Sequence, residues 1–177
     1  MNIEKALPVQ GFMDIPELEY IACAANKSVN IVEIGSWRGR SAIGMAQNTD
    51  GIVTCVDTWS GHLEASDHFD PECFKDFLRN TKGFDNILPV PLESSKAAKV
   101  FANAGHLFDM IFIDGRHDFE GVKADIENWT PLLSPGGILC GHDYGHSDWP
   151  DVVSVVNLII PKFRVVPNTT IWTTEGV

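Results

Sequence analysis

M-I-F-I-D-G-R-H-D-F-E, residues 110–120, and P-L-L-S-P-G-G-I-L-C-G-H-D-Y, residues 131–144, decide the fold. The first stretch reads as an apolar strand that runs into an acidic turn and then a helix. The second reads as a glycine turn, another apolar strand and a turn holding His142 and Asp143. Both chemically loaded turns follow the carboxyl ends of strands, which is where ligands bind in an open parallel α/β sheet. Two clusters of hard or borderline ligand atoms at one sheet edge point to a divalent metal and a polar substrate.

The same alternation extends in both directions. Toward the N-terminus, Leu18, Ile21, Ala22 and Ala25 recur at helical spacing, so a short amphipathic helix is predicted over about residues 14–26. Apolar runs at 30–34, 52–56 and 87–90 read as buried strands, separated by helical patterns at 38–47 and 72–80. Residues 58–71, rich in His, Asp, Ser and Gly, read as a long polar loop, and loops of that length in compact domains are often functional. Ala97, Val100, Phe101 and Ala104 mark a further helix, with Ser94 or Ser95 as its expected N-cap. After the strand at 108–113, Phe119, Val122, Ile126 and Trp129 mark a helix that Pro131 ends, and a strand follows at 137–140. Pro150 suits the first turn of a helix carrying Val152, Val153, Val156 and Ile159. Two short strands near 164–166 and 170–173 end the pattern. The expected fold is α/β: a doubly wound, mostly parallel, Rossmann-like sheet of about seven strands with helices on both faces. It is expected to form a single domain over residues 1–177.

Composition narrows the function. The chain has 177 residues, 44% of them hydrophobic, and a formal net charge of −11. Scattered Lys and Arg on so acidic a chain argue against nucleic acid, which needs clustered positive charge. No apolar stretch is long enough to cross a bilayer, so no membrane partner is expected. Four cysteines without C-x-x-C spacing, two of them inside strand-like runs, read as reduced thiols. With no basic-then-apolar leader pattern at the N-terminus, a cytoplasmic setting is the expectation.

Between the first strand and its helix lies V-E-I-G-S-W-R-G-R-S, residues 32–41. Gly35 and Gly39 permit a tight turn and close approach to a ligand, and the helix N-terminus offers unpaired N–H groups. Asp57 ends the second strand, where a carboxylate suits two ribose hydroxyls. The spacing E-x-G-x-x-x-G departs from the G-x-G-x-x-G of pyrophosphate binders, which favours an adenosyl ligand without a pyrophosphate. Two readings of Glu33 stand side by side, a paired structural carboxylate and a ligand-facing one.

E-I-G-S-W-R-G-R-S, V-D-T-W-S, L-E-S-S and I-D-G-R-H-D-F-E together resemble the class I S-adenosylmethionine-dependent methyltransferases. Within them the chain is most similar to the small metal-dependent O-methyltransferases that include macrolide-sugar methyltransferases. The similarity runs over about residues 28–145. The resemblance implies that Glu33, Gly35 and Gly39 cradle the methionine part of the cofactor, that Asp57 takes the ribose hydroxyls, and that Glu93 and Ser94 border the adenine. Ser36, Ser41, Thr58 and Asp114 complete the expected cofactor set, with Trp59 as a cover over the adenine or the sulfonium. Trp59 opens the long loop, whose His62, Asp67 and His68 would join it as a lid.

Methyl transfer from a sulfonium is an in-line displacement, so the enzyme mainly positions an acceptor oxygen. A hydroxyl acceptor needs a base, a metal, or both. Asp114, His142 and Asp143 have the chemistry to hold Mg²⁺ or Mn²⁺, and the histidine tilts the set toward a softer ion. His117, three residues after Asp114, is placed to act as base; in the family it resembles, the matching histidine has that role and the matching acids bind metal. Many relatives have two adjacent acids where this chain has His142-Asp143. Structural readings compete at each position. Asp114 would serve as a helix cap, His117 and Asp118 as first-turn residues, and Asp143 as a stabiliser of the turn before Gly145. Trp37, Arg38 and Arg116 flank the two turns, and Trp149 and Tyr144 are candidates for the acceptor pocket.

The leading expectation is therefore a divalent-metal-dependent O-methyltransferase that modifies a hydroxyl of a sugar, glycoside or other small molecule. The alternative is a non-catalytic or metal-independent cofactor-binding domain, the latter directing methyl to nitrogen or carbon. The chain is short enough that a second copy, in a homo-oligomer, would supply part of the acceptor site.

Overall fold

The structure, a computed structural model, describes residues 1–60 and 72–177. Five parallel strands form its centre: β1 (Asn30–Ile34), β2 (Ile52–Asp57), β3 (Ile87–Pro91), β4 (Phe108–Ile113) and β5 (Leu133–Gly141). Two short strands, β6 (Arg164–Val165) and β7 (Trp172–Thr173), complete a seven-stranded sheet of order β3-β2-β1-β4-β5-β7-β6. β7 is antiparallel to both β5 and β6. The order reverses between β1 and β4, so the crevice for a ligand opens at their carboxyl ends.

Strand side chains alternate between faces, and the core divides accordingly. Ile31, Val53, Met110, Phe112 and Cys140 face α1 (Ile15–Ala25), α2 (Arg40–Ala46) and α3 (Cys73–Thr81), where Leu18, Ile21, Ile43 and Phe77 are buried. Val32, Ile34, Ile111, Ile113 and Leu139 face α4 (Ser94–Asn103), α5 (Phe119–Trp129) and α6 (Pro150–Ile159), against Ile126, Trp129 and Val156. Strands buried on both faces explain the continuous apolar runs in the sequence. Glu33 falls on the α1–α3 face between two core-facing apolar positions, and is fully buried.

The expected order of elements is present, with local differences. The N-cap position of α4 belongs to Glu93, in extended conformation, and not to a serine. Ser94 is drawn elsewhere: its hydroxyl donates to Asp125 Oδ1 on α5 and accepts Trp129 Nε1 at 2.8 Å. β5 begins at Leu133, four residues before the expected start, because Leu133 pairs with Phe108 across an irregularity in register. α2 starts at Arg40, since Gly39 holds the N-cap with φ of 85°. Among the described residues, no helix is long and apolar enough to cross a membrane. All four cysteines are free thiols, three of them buried.

Candidate functional site

The β1 and β4 turns touch through their backbones. Gly35 has φ of 89° and donates its N–H to Val56 O at 2.9 Å, while Asp114 N–H donates to Ile34 O at 2.8 Å. A Cβ on Gly35 would land on the carbonyl of Asp114 and lie 2.7 Å from Gly115 Cα. Only glycine fits this position. The cofactor-side turn and the acidic turn are thereby packed against each other.

Asp57 organises the other wall. Its Oδ2 accepts Trp37 N–H at 2.9 Å and its Oδ1 accepts Trp59 N–H at 2.7 Å. Each carboxylate oxygen keeps lone-pair capacity for a further donor, such as a ribose hydroxyl. Trp37 and Trp59 have φ of 42° and 48°, and Asp143 has 62°. These are three of the four non-glycine residues with positive φ among the described residues, and all lie at this sheet edge. Such conformations persist where the surroundings over-determine them, commonly at functional sites.

The expected cofactor residues separate into two groups. Gly35, Gly39, Asp57, Thr58 and Glu93 lie in the turns at the carboxyl ends of β1 to β3, with Thr58 and Glu93 exposed. Ser36 is buried, with its hydroxyl beside the Glu33 carboxyl. Trp59 departs from the expected lid. Its ring packs on Phe74 and Phe77 at centroid distances of 4.6 and 4.7 Å, and its Nε1 donates to Trp37 O at 2.7 Å. It is a core residue here, because two α3 phenylalanines offer more apolar surface than the open cleft. Ser41, on α2, donates to Glu33 Oε1. Phe12 stacks on Trp37 at 5.0 Å, and Arg38 lies over the Trp37 ring while pairing with Asp76 at 3.2 Å. The candidate lid residues His62, Asp67 and His68 lie outside the described residues.

Burial holds the Glu33 carboxyl up at about 7, although the Ser36 and Ser41 hydroxyls pull it down; Asp114 and the neighbouring Cys55 also bear on it. Its Oε2 has no hydrogen-bond partner. Ionising a carboxyl raised from its ordinary 4.5 to about 7 costs the fold up to about 3 kcal/mol. The stability is fully present below pH 4.5 and is lost as pH rises through about 7. Glu33→Gln, neutral at every pH, is therefore expected to be more stable than the native chain at pH 8.5 by about 2 kcal/mol and equal to it near pH 4. Urea unfolding at the two pH values checks this. A variant less stable at pH 8.5 would mean that the ionised carboxylate is held favourably.

The acidic cluster closes at the ends of β4 and β5. His117 Nε2 lies 2.9 Å from Asp143 Oδ2 and 3.8 Å from Asp114 Oδ1. His142 Nδ1 lies 3.3 Å from Asp143 Oδ2 and 3.6 Å from Asp114 Oδ1. Asp114, His117 and Asp143 can each offer one ligand atom with all three within 4.8 Å of one another. That group has His117 where the expected set has His142, which lies beside it through its contacts to the two acids. The competing structural reading of Asp114 fails, because Asp118 caps α5 by accepting Gly121 N–H at 3.1 Å. The Asp143 side chain likewise points at the histidines, and the turn to Gly145 is made by backbone, with His146 N–H donating to Asp143 O.

Electrostatics follow from this crowding. Burial pushes the His117 imidazole down, but Asp114 and Asp143 outweigh it and hold the proton up to about 9. Burial also works against a charged His142, yet Asp114, Asp143 and Glu17 raise it to about 12. Asp143 gains from both imidazoles and ends well below the usual carboxylate range despite burial. The Trp149 ring stacks on His117 at 4.5 Å and is partly exposed, so it covers the outer face of the imidazole. Tyr144 turns away, edge-on to Phe163. Arg116 forks onto Asp118 at 2.7 and 2.8 Å.

One participant has no signal in the sequence pattern. Glu17 of α1 places Oε2 3.0 Å from His142 Nε2. The spacing Asp14-x-x-Glu17 reads as a helix capping box, and Glu17 does accept Asp14 N–H at 2.9 Å. That local role accounts for the residue type and hides the tertiary one.

A family model described as a methyltransferase domain matches residues 32–144, well over half of the chain. The chain belongs to this methyltransferase-domain family. A protein of Sinorhizobium fredii, the uncharacterized protein y4gI, is 31% identical over 123 residues, which is 64% of this chain and 13% of that protein. The chain thus spans a small fraction of that relative's length. Among solved structures, an O-methyltransferase from Bacillus cereus in complex with SAH superposes with a TM-score of 0.70 at 17% identity, covering 97% of this chain and 89% of that one. CalS11, a TDP-rhamnose 3′-O-methyltransferase of calicheamicin biosynthesis, gives 0.66 at 13% identity, over 88% and 76% of the two chains. The O-methyltransferase NovP gives 0.66 at 18%, over 90% and 79%. These likenesses share the fold described above.

Proposed function

We propose that the protein is an S-adenosylmethionine-dependent O-methyltransferase that uses a divalent metal and modifies a hydroxyl of a sugar, glycoside or other small molecule. The observation that carries this reading is the convergence of Asp114, His117, His142 and Asp143 beside the Gly35 turn. Two carboxylates and two imidazoles within a few ångströms form a donor set that suits Mg²⁺ or Mn²⁺, and the nitrogens extend its range to softer ions. Asp114, Asp143 and the Nδ1 of His142 would hold the ion. A metal there supplies a lowered pKa for an acceptor hydroxyl. His117, with its outer face against Trp149, is held protonated by Asp114 and Asp143 alone; a cation that neutralised those acids would free its ring nitrogen to receive the hydroxyl proton. Asp57 would orient the ribose, and the backbone around Gly35 and Gly39 would leave room for the methionine part.

One observation favours a metal-independent variant of the same reading: the two imidazoles lie within 2.9–3.8 Å of the two acids and can offset their charge themselves. Calorimetric titration with S-adenosylhomocysteine, with Mn²⁺ present and then with a chelator, separates the two. Binding is expected to weaken about 10- to 100-fold in Asp57→Ala, as loss of charge-assisted hydrogen bonds to the ribose requires, and hydroxyl methylation is expected to stop on chelation. Methylation that survives chelation selects the metal-independent form. No cofactor binding under either condition would remove the methyltransferase proposal.

A further inference from the structure

Three hydrogen bonds fix the Glu17 carboxylate, and an ion-pair contact joins it to His142. Its Oε1 accepts the N–H and the hydroxyl of Thr170 at 3.0 and 2.9 Å. Its Oε2 accepts Asp14 N–H at 2.9 Å and lies 3.0 Å from His142 Nε2. Glu17 is 5% exposed and His142 7%, so the pair is shielded from solvent. Three of the four contacts are to backbone or a short side chain, which leaves the carboxylate a single orientation. The fourth acts on the imidazole of the β5 turn. Nε2 lies against Glu17, and Nδ1 is the nitrogen that faces Asp114 and Asp143.

We propose that Glu17 is the positioning residue of the metal centre: it holds His142 by Nε2 so that Nδ1 is presented to the ion between Asp114 and Asp143. The inference rests on the metal-dependent reading above. A carboxylate on the far nitrogen fixes the tautomer and the ring orientation and raises the basicity of the nitrogen that binds. It also explains why a histidine is tolerated beside Asp143. Thr170, whose hydroxyl also accepts Asp143 N–H at 3.3 Å, ties the same carboxylate to the neighbouring ligand, so α1 and the segment before β7 together brace the turn.

The test is Mn²⁺ affinity, read as free ion by electron paramagnetic resonance, alongside S-adenosylhomocysteine affinity and melting temperature. Glu17→Ala is expected to weaken Mn²⁺ binding about 10- to 100-fold, the range for loss of an outer partner of a metal-bound histidine. Glu17→Gln keeps an acceptor oxygen for Nε2 and loses the charge, so its affinity is expected to fall in between. It also carries the test if the alanine variant does not fold. Cofactor affinity is expected to stay within about threefold in both. Asp14→Ala removes the other half of the same capping box and leaves the Glu17 carboxylate in place. It is expected to lower the melting temperature without moving Mn²⁺ affinity. If Asp14→Ala weakens Mn²⁺ binding as much as Glu17→Ala, Glu17 acts only through its helix and the proposal is overturned. Native Mn²⁺ affinity in both Glu17 variants overturns it as well, while leaving the metal centre intact. A native chain that binds cofactor but no Mn²⁺ removes the metal centre itself, and the role of Glu17 with it.

Discussion

Gly35→Ala is expected to destabilise the protein by more than about 4 kcal/mol, or to leave it unfolded at 37 °C. Two costs add. The position has φ of 89°, which an L side chain rarely adopts, and that alone is worth about 1–2 kcal/mol. The larger cost is steric, because the new methyl would meet backbone, the carbonyl of Asp114 and Gly115 Cα, and not the end of a flexible side chain. Relief requires the β1 and β4 turns to separate, which strains the bonds from Gly35 N to Val56 O and from Asp114 N to Ile34 O. Gly136→Ala is the control. It has a similar φ of 79° but nothing within 4 Å of the added methyl, so only the conformational cost is expected there. Urea unfolding of the two variants separates the terms. If folded Gly35→Ala can be recovered, its S-adenosylhomocysteine affinity is expected to fall at least 100-fold, since the turn proposed to cradle the cofactor has moved. Equal stability of the two variants would show that the turns yield easily and form no fixed seam.

The strands and the sheet edge that carries the site were legible because parallel strands buried on both faces leave continuous apolar runs, and because the loaded turns follow them directly. The chain-local features read well for the same reason. Asp114, His117, His142 and Asp143 each sit within a few residues of a strand end, so strand adjacency alone brings them together. What the sequence did not disclose is tertiary. Ser94 looks like a helix cap in isolation, but Asp125 and Trp129 on α5 compete for its hydroxyl and win, leaving the cap position to Glu93. Trp59 looks like a lid at the head of a polar loop, until two α3 phenylalanines, Phe74 and Phe77, cover its ring. The most distant case is Glu17, whose local pattern is fully satisfied by its capping role. No spacing rule connects it to a histidine 125 positions later, and only the packing of α1 beside β5 and the segment before β7 does so. Periodicity reports which face of an element is buried; it is silent on which buried polar groups find each other.

Asp143→Ala is expected to lower methyl transfer to a hydroxyl acceptor by about 10²- to 10⁴-fold, the range over which a positioned proton acceptor contributes, with S-adenosylhomocysteine affinity changed by no more than about threefold. One oxygen serves both imidazoles. Asp143 Oδ2 lies 2.9 Å from His117 Nε2 and 3.3 Å from His142 Nδ1, so its removal releases the proposed base His117 from its orientation and takes a ligand atom from the candidate cation cluster. It also leaves the buried His142 and the half-buried His117 sharing Asp114. Breaking a buried ion pair from one side costs about 3–5 kcal/mol, so a loss of stability is expected as well, and it must be separated from the loss of function. Asp143→Asn does that. Asparagine tolerates the φ of 62° better than alanine does, and it keeps the side-chain shape and one carbonyl oxygen, while lacking the charge. Its melting temperature is therefore expected to lie between those of the native and alanine proteins, while its activity falls nearly as far as in the alanine variant. The measurement is single-turnover methyl transfer at saturating cofactor, with Mn²⁺ affinity determined on the same preparations. If Asp143→Asn keeps native activity, charge at this position is not used, and proton transfer and ion binding must then depend on Asp114 and the two histidines alone.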